Sequence, residues 1–204
     1  MNLTVNLKGF KAMLNNIWNK KRESNVWKGL AAGVIGGLAG GFVMNQFQSL
    51  WSSLTGDEKD SEHAHTPRQS GRKSDAHQER QSNDELDPPA TVKLADAISE
   101  TVFDHELSED EKEPAGQAVH YGFSLVTGGI YGVTAELEPE ATIGAGAPFG
   151  AAVWLVADEI TVPLVGLSKG PTAYPLSKHA YSLASHLVYG VATEAARRAV
   201  RNML

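Results

Sequence analysis

The chain has 204 residues, 20 of them glycine and none cysteine. The lack of cysteine excludes disulfides, thiolate zinc sites and thiol catalysis, and a formal net charge of -6 argues against nucleic acid as a partner. Charge is unevenly spread: residues 1–50 carry +5, residues 51–115 carry -10 and residues 116–204 carry -1, the pattern of a membrane protein with a polar insert.

Residues 1–28 make a basic N-terminal segment. Leu3, Leu7, Phe10, Leu14 and Ile17 recur at helical spacing over residues 3–18, with Lys8 and Lys11 between them and Lys20, Lys21 and Arg22 behind. Such a helix lies in a membrane interface with its cations near anionic headgroups, or packs as a surface helix on its own protein. Residues 29–50 read as the first transmembrane helix. The run GLAAGVIGGLAGGFVMNQFQ (29–48) is long enough at 1.5 Å per residue to cross a hydrocarbon layer of about 30 Å. A cleaved signal peptide fits less well, because the stretch before the run is long and no A-x-A site follows it.

Residues 51–89 are an acidic linker. They hold almost no bulky apolar side chain, so they cannot offset chain entropy by burial, and disorder is expected. His63, His65 and His77 are scattered through it, which predicts no metal site. Residues 90–115 return to helical periodicity: Val92, Ala95, Ile98, Val102 and Phe103 form an apolar stripe over 90–107, and the acidic run SEDEKE is expected to close that helix. It would lie on the membrane surface or cap the bundle.

Residues 116–204 are expected to form a membrane domain with three further spans, at 117–135, 141–157 and 179–196. Four spans put both chain ends on one side. Lys20, Lys21, Arg22 and Lys28 precede the first span and Arg197, Arg198 and Arg201 follow the fourth, so that side is cytoplasmic by the positive-inside rule. The turn 136–140 falls inside and the loop 167–178 outside, where Lys169 and Lys178 weakly oppose the assignment.

Glycines carry the packing signal. Gly29, Gly33, Gly37 and Gly41 recur every four residues, with Ala32, Gly36 and Gly40 in a second row. Ser124, Gly128 and Gly132 repeat the device in the second span, and Gly146 and Gly150 in the third. Small residues at this period let helices approach closely. Two outcomes remain open: packing inside a four-helix monomer, or self-association around a pore. The GAGAPFG stretch lacks the spacing of a dinucleotide loop.

Ionisable residues gather at the outer half. His120 and His179 begin the second and fourth spans, Asp158 and Glu159 end the third, and His186 lies about 10 Å deeper than His179. His179, Ser182, His186, Gly190 and Glu194 share a helix face, which must point into protein or water. One reading is a proton-responsive or cation-binding cluster of His120, Asp158, Glu159, His179 and His186, since imidazoles titrate near neutrality and neighbouring carboxylates favour their charged form. The other is that these groups merely terminate helices. At the inner side Glu136 ends the second span, and Glu194 is spaced to pair with Arg197 and Arg198. No Ser/His/Asp order, HExxH or P-loop supports catalysis.

The pieces HYGFSLVTGGIYG, VPLVGLSKGP and SHLVYGVATEAARRAVRN resemble the YagU-like family of small bacterial inner-membrane proteins. The resemblance covers about residues 115–204 and rests on His120, Phe123, Ser124, Tyr131, Glu136, Pro163, Gly166, His186, Glu194, Arg197 and Arg198. It implies an inner-membrane location and four spans, assigns no reaction, and suggests a link to acid or envelope stress. The long linker and the Asp158–Glu159 pair depart from the family pattern.

The expectation is therefore an all-α integral membrane four-helix bundle with glycine-rich helix contacts, amphipathic interfacial helices and a disordered polar linker. Its partners would be the lipid membrane and either further copies or a larger membrane complex. No cofactor, metal or nucleic acid is expected. Two functions compete: a non-enzymatic accessory or scaffolding protein of the envelope, and a small proton- or cation-responsive channel or sensor.

Overall fold

The computed structural model describes residues 25–55 and 88–204. The basic helix expected over 3–18, most of the linker, and His63, His65 and His77 lie outside the described residues. Among the described residues all regular structure is helical. Five helices matter here: α1 (Val26–Thr55), α2 (Ala90–Phe103), α3 (Glu109–Leu137), α4 (Ala147–Leu164) and α5 (Leu176–Met203). Short 3-10 turns occupy Pro139–Thr142 and Pro171–Ala173.

Helix α1 is the central post, with α3 on one side and α5 on another; α2 packs on α3, and α4 on α5. The two small-residue rows of α1 serve two different neighbours. A Cβ added at Gly33 would stand 2.3 Å from the Gly128 carbonyl oxygen, and one at Gly37 would stand 2.1 Å from that of Ser124. Gly29 faces Gly132 and Glu136, and Gly41 faces Ser124. In the second row, Gly36 faces Thr193 and Arg197, and Gly40 faces Thr193 and Tyr189. On the far side of α5, Gly146, just before α4, and Gly150 within it meet the backbone of Gly190 and His186. All these contacts run antiparallel, and no side chain fits between the backbones. The small-residue rows thus pack helices within one chain.

Local chemistry sets the helix ends, in two places differently from the expectation. The acidic run does not close the helix before it. Helix α2 stops at Phe103, where Asp104 turns left-handed at φ 52°, and the run opens α3. Glu111 reaches back there to accept from the Ser108 N–H (2.9 Å) and hydroxyl (2.8 Å), and Glu109, Asp110 and Glu111 complement the positive helix end. The third apolar segment, expected over 141–157, starts as a helix only at Ala147. Gly144, Ala145 and Gly146 all have positive φ, which no right-handed helix can include. Helix α4 then runs past Asp158 and Glu159 to Leu164 instead of ending at them. Its middle, Trp154–Thr161, is a π-helix. Pro163 has no N–H to return to this turn, and the Thr161 hydroxyl donates to the Val156 carbonyl at 2.7 Å.

The distribution of polarity is inverted relative to a water-soluble bundle. Ser185, Thr193 and Glu194 are fully buried, while Phe42, Ile130, Val156 and Leu164 are exposed. Among the described residues two helices, α1 and α4, are long and apolar enough to cross a membrane, and only 6% of the apolar window of α4 is buried inside the chain. Helices α3 and α5 have the length, 29 and 28 residues, but fall short on composition.

Candidate functional site

The polar residues form two clusters, one at an end of the bundle and one reaching from its middle to the other end. One end is marked by Trp51 of α1, whose ring meets Tyr181 of α5 at 5.8 Å. The other is marked by Lys28, whose Nζ donates to the Leu204 carbonyl at 2.5 Å, so the start of α1 and the end of α5 lie side by side.

At the Trp51 end the π-helix decides which residues of α4 face α5. Gly150 faces α5. In a regular helix a residue eight positions further would stand about 80° away from that face. The wide turn absorbs the difference and aims Asp158 at α5, where the Ser182 hydroxyl donates to its Oδ2 at 2.6 Å. His186 Nδ1 lies 3.7 Å from the same oxygen and 2.9 Å from the Ser182 carbonyl. One residue on, Glu159 Oε1 is 2.6 Å from His179 Nδ1. His179 Nε2 faces the Pro171 carbonyl at 2.9 Å. Both ring nitrogens of His179 thus point at acceptors, which only the doubly protonated imidazolium satisfies. Its pKa is accordingly raised, first by the Glu159 hydrogen bond and then by the Pro171 carbonyl. His179 stands in the first turn of α5, which begins at Leu176.

An open cavity of about 250 Å³ lies over this cluster, lined by Asp158, Glu159, Tyr174, Lys178, His179, Tyr181 and Ser182. Lys178 lies over the Tyr174 ring, 5.4 Å from its centroid. Four of the five expected site residues therefore meet across the α4–α5 contact. His120 belongs to the α1–α3 contact instead: its Nε2 lies 3.6 Å from the place a Gly41 Cβ would take, and its ring meets Tyr121 edge-on. Among the described residues no group of three or more His, Asp or Glu side chains is arranged to hold a metal ion; the acids at this site are engaged singly, each by its own imidazole or hydroxyl.

In the half of the bundle toward Lys28, beginning near its middle, Glu194 is buried and accepts from Arg197 Nε at 2.6 Å and Nη2 at 3.0 Å, and also from Arg198 Nε. These are the local pairs that the spacing allows. Glu136 pairs across helices with Arg201, at 2.5 Å and 3.0 Å. The Arg197 guanidinium stands 5.9 Å from the Tyr131 ring centroid, and Tyr131 stacks on Phe149 at 4.2 Å. Sequence reading missed the partnership of Glu136 with Arg201, the Tyr131–Phe149 stack and the π-helix. Arg201 does fall one turn beyond Arg197, a visible signal for a shared face. The π-helix leaves no such mark beyond Pro163.

Among the described residues the structure is all-helical, with small-residue helix contacts, a polar interior and two helices long and apolar enough to cross a membrane, which is consistent with membrane association. The family model described as "Protein of unknown function (DUF1440)" matches residues 61–195, and the chain belongs to that family, one of small bacterial membrane proteins of the YagU-like kind. No curated protein and no solved structure matches the chain.

Proposed function

We propose that the chain is a non-enzymatic, multi-pass protein of the bacterial inner membrane that responds to protons from its outer side. In this reading α1, α3, α4 and α5 all cross the bilayer, with α5 spanning from Ala180 inward. The Lys28 end faces the cytoplasm, where Lys28, Arg197, Arg198 and Arg201 obey the positive-inside rule. The exposed apolar side chains of α1, α3 and α4 support a lipid-facing surface. The buried polar residues support the same reading, because ionisable groups in a membrane bundle face inward.

The observation that carries the functional part is the π-helical turn that brings Asp158 and Glu159 to Ser182, His186 and His179 beneath an open cavity. Wide turns of this kind are rare and recur at functional sites. A decisive experiment uses the full chain in liposomes, with proton flux read by an internal pH dye and His179 followed by NMR. Flux that vanishes in Asp158→Asn and His186→Ala would mean conduction. No flux, with His179 titrating above the ordinary imidazole value and falling back in Glu159→Gln, would mean sensing. An ordinary His179 titration and no flux would remove the proton reading. A soluble product needing no detergent would remove the membrane reading itself.

A second reading, an accessory or scaffolding protein, draws on a different feature. An apolar groove of about 430 Å³ runs between α1 and α3, lined by Leu30, Val34, Leu125, Val126, Gly129, Ile130, Val133 and Thr134. A partner helix would seat there. The intact mass of the complex in nanodiscs at native abundance separates the readings: a heteromer favours the accessory role, and a monomer leaves the proton site as the working idea.

A further inference from the structure

Helix α4 covers only one half of α5. It meets α5 at Gly190, where a Cβ on Gly146 would stand 2.2 Å from the carbonyl oxygen, and at His186, where one on Gly150 would stand 2.0 Å from the carbonyl oxygen. Toward the Lys28 end about 20 Å of α5 remains beyond Gly190. Residues 138–146 touch that half at Arg198 and Glu194; they comprise a 3-10 turn, Ile143 and then three residues of positive φ. Glu138, Pro139, Glu140, Ile143, Gly144 and Ala145 among them are exposed.

Depth follows from α1. Gly36 lies against Thr193 and Arg197, and Gly40 against Tyr189 and Thr193. Gly36 and Gly40 bracket the middle of the apolar run 29–48. Glu194 is therefore level with the centre of that run, and Arg198 lies one turn toward the Lys28 end. The Arg198 side chain is 54% exposed although it pairs with Glu194, and its Nη2 reaches the Thr142 carbonyl at 3.5 Å. Irregular backbone at membrane depth is tolerated where it lines water or is buried in protein, not against lipid. A half-exposed guanidinium there obeys the same rule.

We infer that residues 138–146 re-enter the bundle from the cytoplasmic side and line a water-filled inlet that ends at Arg198, with Glu194 behind it. The inference rests on the four-span reading. The inlet and the outer cavity approach each other from opposite ends and are kept apart by the contacts of Gly40 and Gly146 with Tyr189, Gly190 and Thr193. An inlet of this kind makes the Glu194–Arg198 pair the inward-facing counterpart of the Asp158–His186 cluster.

The absence of native cysteine makes the test clean. Single variants Ala141→Cys and Thr142→Cys of the full chain are reacted with a membrane-impermeant sulfonated maleimide, in right-side-out and inside-out vesicles. Met203→Cys and Leu176→Cys report the two sides, both positions being more than three-quarters exposed, and Ile35→Cys reports the lipid face at the same depth. The expected result is labelling of positions 141 and 142 from the Met203 side only, more than about tenfold faster than position 35, since reaction needs a hydrated thiolate. Rates as slow as position 35, with the two side reporters labelled from opposite faces, would overturn the inlet and mean that lipid, a partner or a second copy covers the segment. Labelling from the Leu176 side would overturn it as well. Side reporters labelled from one and the same face would remove the four-span reading and the inlet with it.

Discussion

Arg201 of α5 grips Glu136 of α3 with two parallel hydrogen bonds, Nε to Oε1 at 2.5 Å and Nη2 to Oε2 at 3.0 Å. Both side chains are buried, and the Asn25 N–H adds a third donor to Oε2 at 3.3 Å. The pair ties α3 directly to α5, at the opposite end of their contact from the Tyr189 hydroxyl, which meets Thr127 and the Ser124 carbonyl. Removing one partner leaves a charge stranded in the interior, so Arg201→Met is expected to lower stability by about 3–5 kcal/mol. The double variant Glu136→Gln/Arg201→Met should lose clearly less than the sum of the two single changes. Denaturant unfolding of the full chain in detergent measures this, and additive losses would show that the two residues act independently.

Gly33 and Gly122 make a matched pair for the packing argument. A Cβ at Gly33 would meet the Gly128 carbonyl oxygen at 2.3 Å and the Gly132 Cα at 2.7 Å, both backbone atoms that cannot step aside. Gly33→Ala should therefore destabilise the bundle by about 1–3 kcal/mol through overpacking. At Gly122 a Cβ meets nothing within 4 Å, so Gly122→Ala should be neutral or stabilise by up to ~1 kcal/mol through helix propensity. Thermal unfolding of both variants decides it; equal effects would mean that the α1–α3 contact is looser than the backbone distances imply.

These two cases also mark what a sequence reveals. The four-residue glycine spacing of α1 announces close helix contact, because only a smooth face would keep that period, and every glycine and serine so identified lies at a helix crossing. The spacing cannot say which helix sits on which row, since Gly33 and Gly36 look alike until α3 and α5 are placed. Glu194 with Arg197 and Arg198 is legible because the partners are one turn apart. Glu136 with Arg201 is not, because 65 residues intervene. His120 looks equivalent to His179 when depth alone is counted. Rotation about the helix axis, which depth does not record, sends it to α1. The start of α4 is misplaced by six residues because alanine and glycine read as apolar helix, while the backbone at 144–146 turns left-handed.

The corner between α2 and α3 should respond to acid. Glu111 accepts from the Ser108 N–H and hydroxyl and lies 3.2 Å from His105 Nε2, which together lower its pKa from 4.5 to about 2. A carboxylate depressed in the folded state contributes stability that is complete above its unfolded value and lost as pH falls through the folded one. The window is therefore pH 4.5 down to about 2. Protection of the Lys112 amide, which donates to the Ser108 carbonyl at 3.1 Å, should fall across that window in hydrogen exchange corrected for intrinsic rates. Glu111→Gln should abolish the step, and Ser108→Ala should weaken the helix start by about 0.5–2 kcal/mol at neutral pH. A step that survives Glu111→Gln would assign the acid sensitivity to another group.

The π-helix of α4 gives the sharpest test of the outer site, because it is a matter of phase. Gly150 and Asp158 are eight residues apart and both face α5, a separation that leaves a regular helix about 80° out of register, whereas seven residues nearly complete two turns. The wide turn behaves as one inserted residue. Deleting Ala157 should therefore produce a regular helix that still aims the acid pair at Ser182, His186 and His179, and the raised titration of His179 should survive. Inserting one alanine after Ala157 adds about 100° and should swing Asp158 and Glu159 off α5, lowering the His179 titration toward the ordinary imidazole range while the Glu136–Arg201 clasp at the opposite end stays intact. NMR titration of His179 in the two variants reads the difference directly. If deletion and insertion abolish the shift alike, the turn matters for its own wide geometry and not for the direction in which it points the two carboxylates.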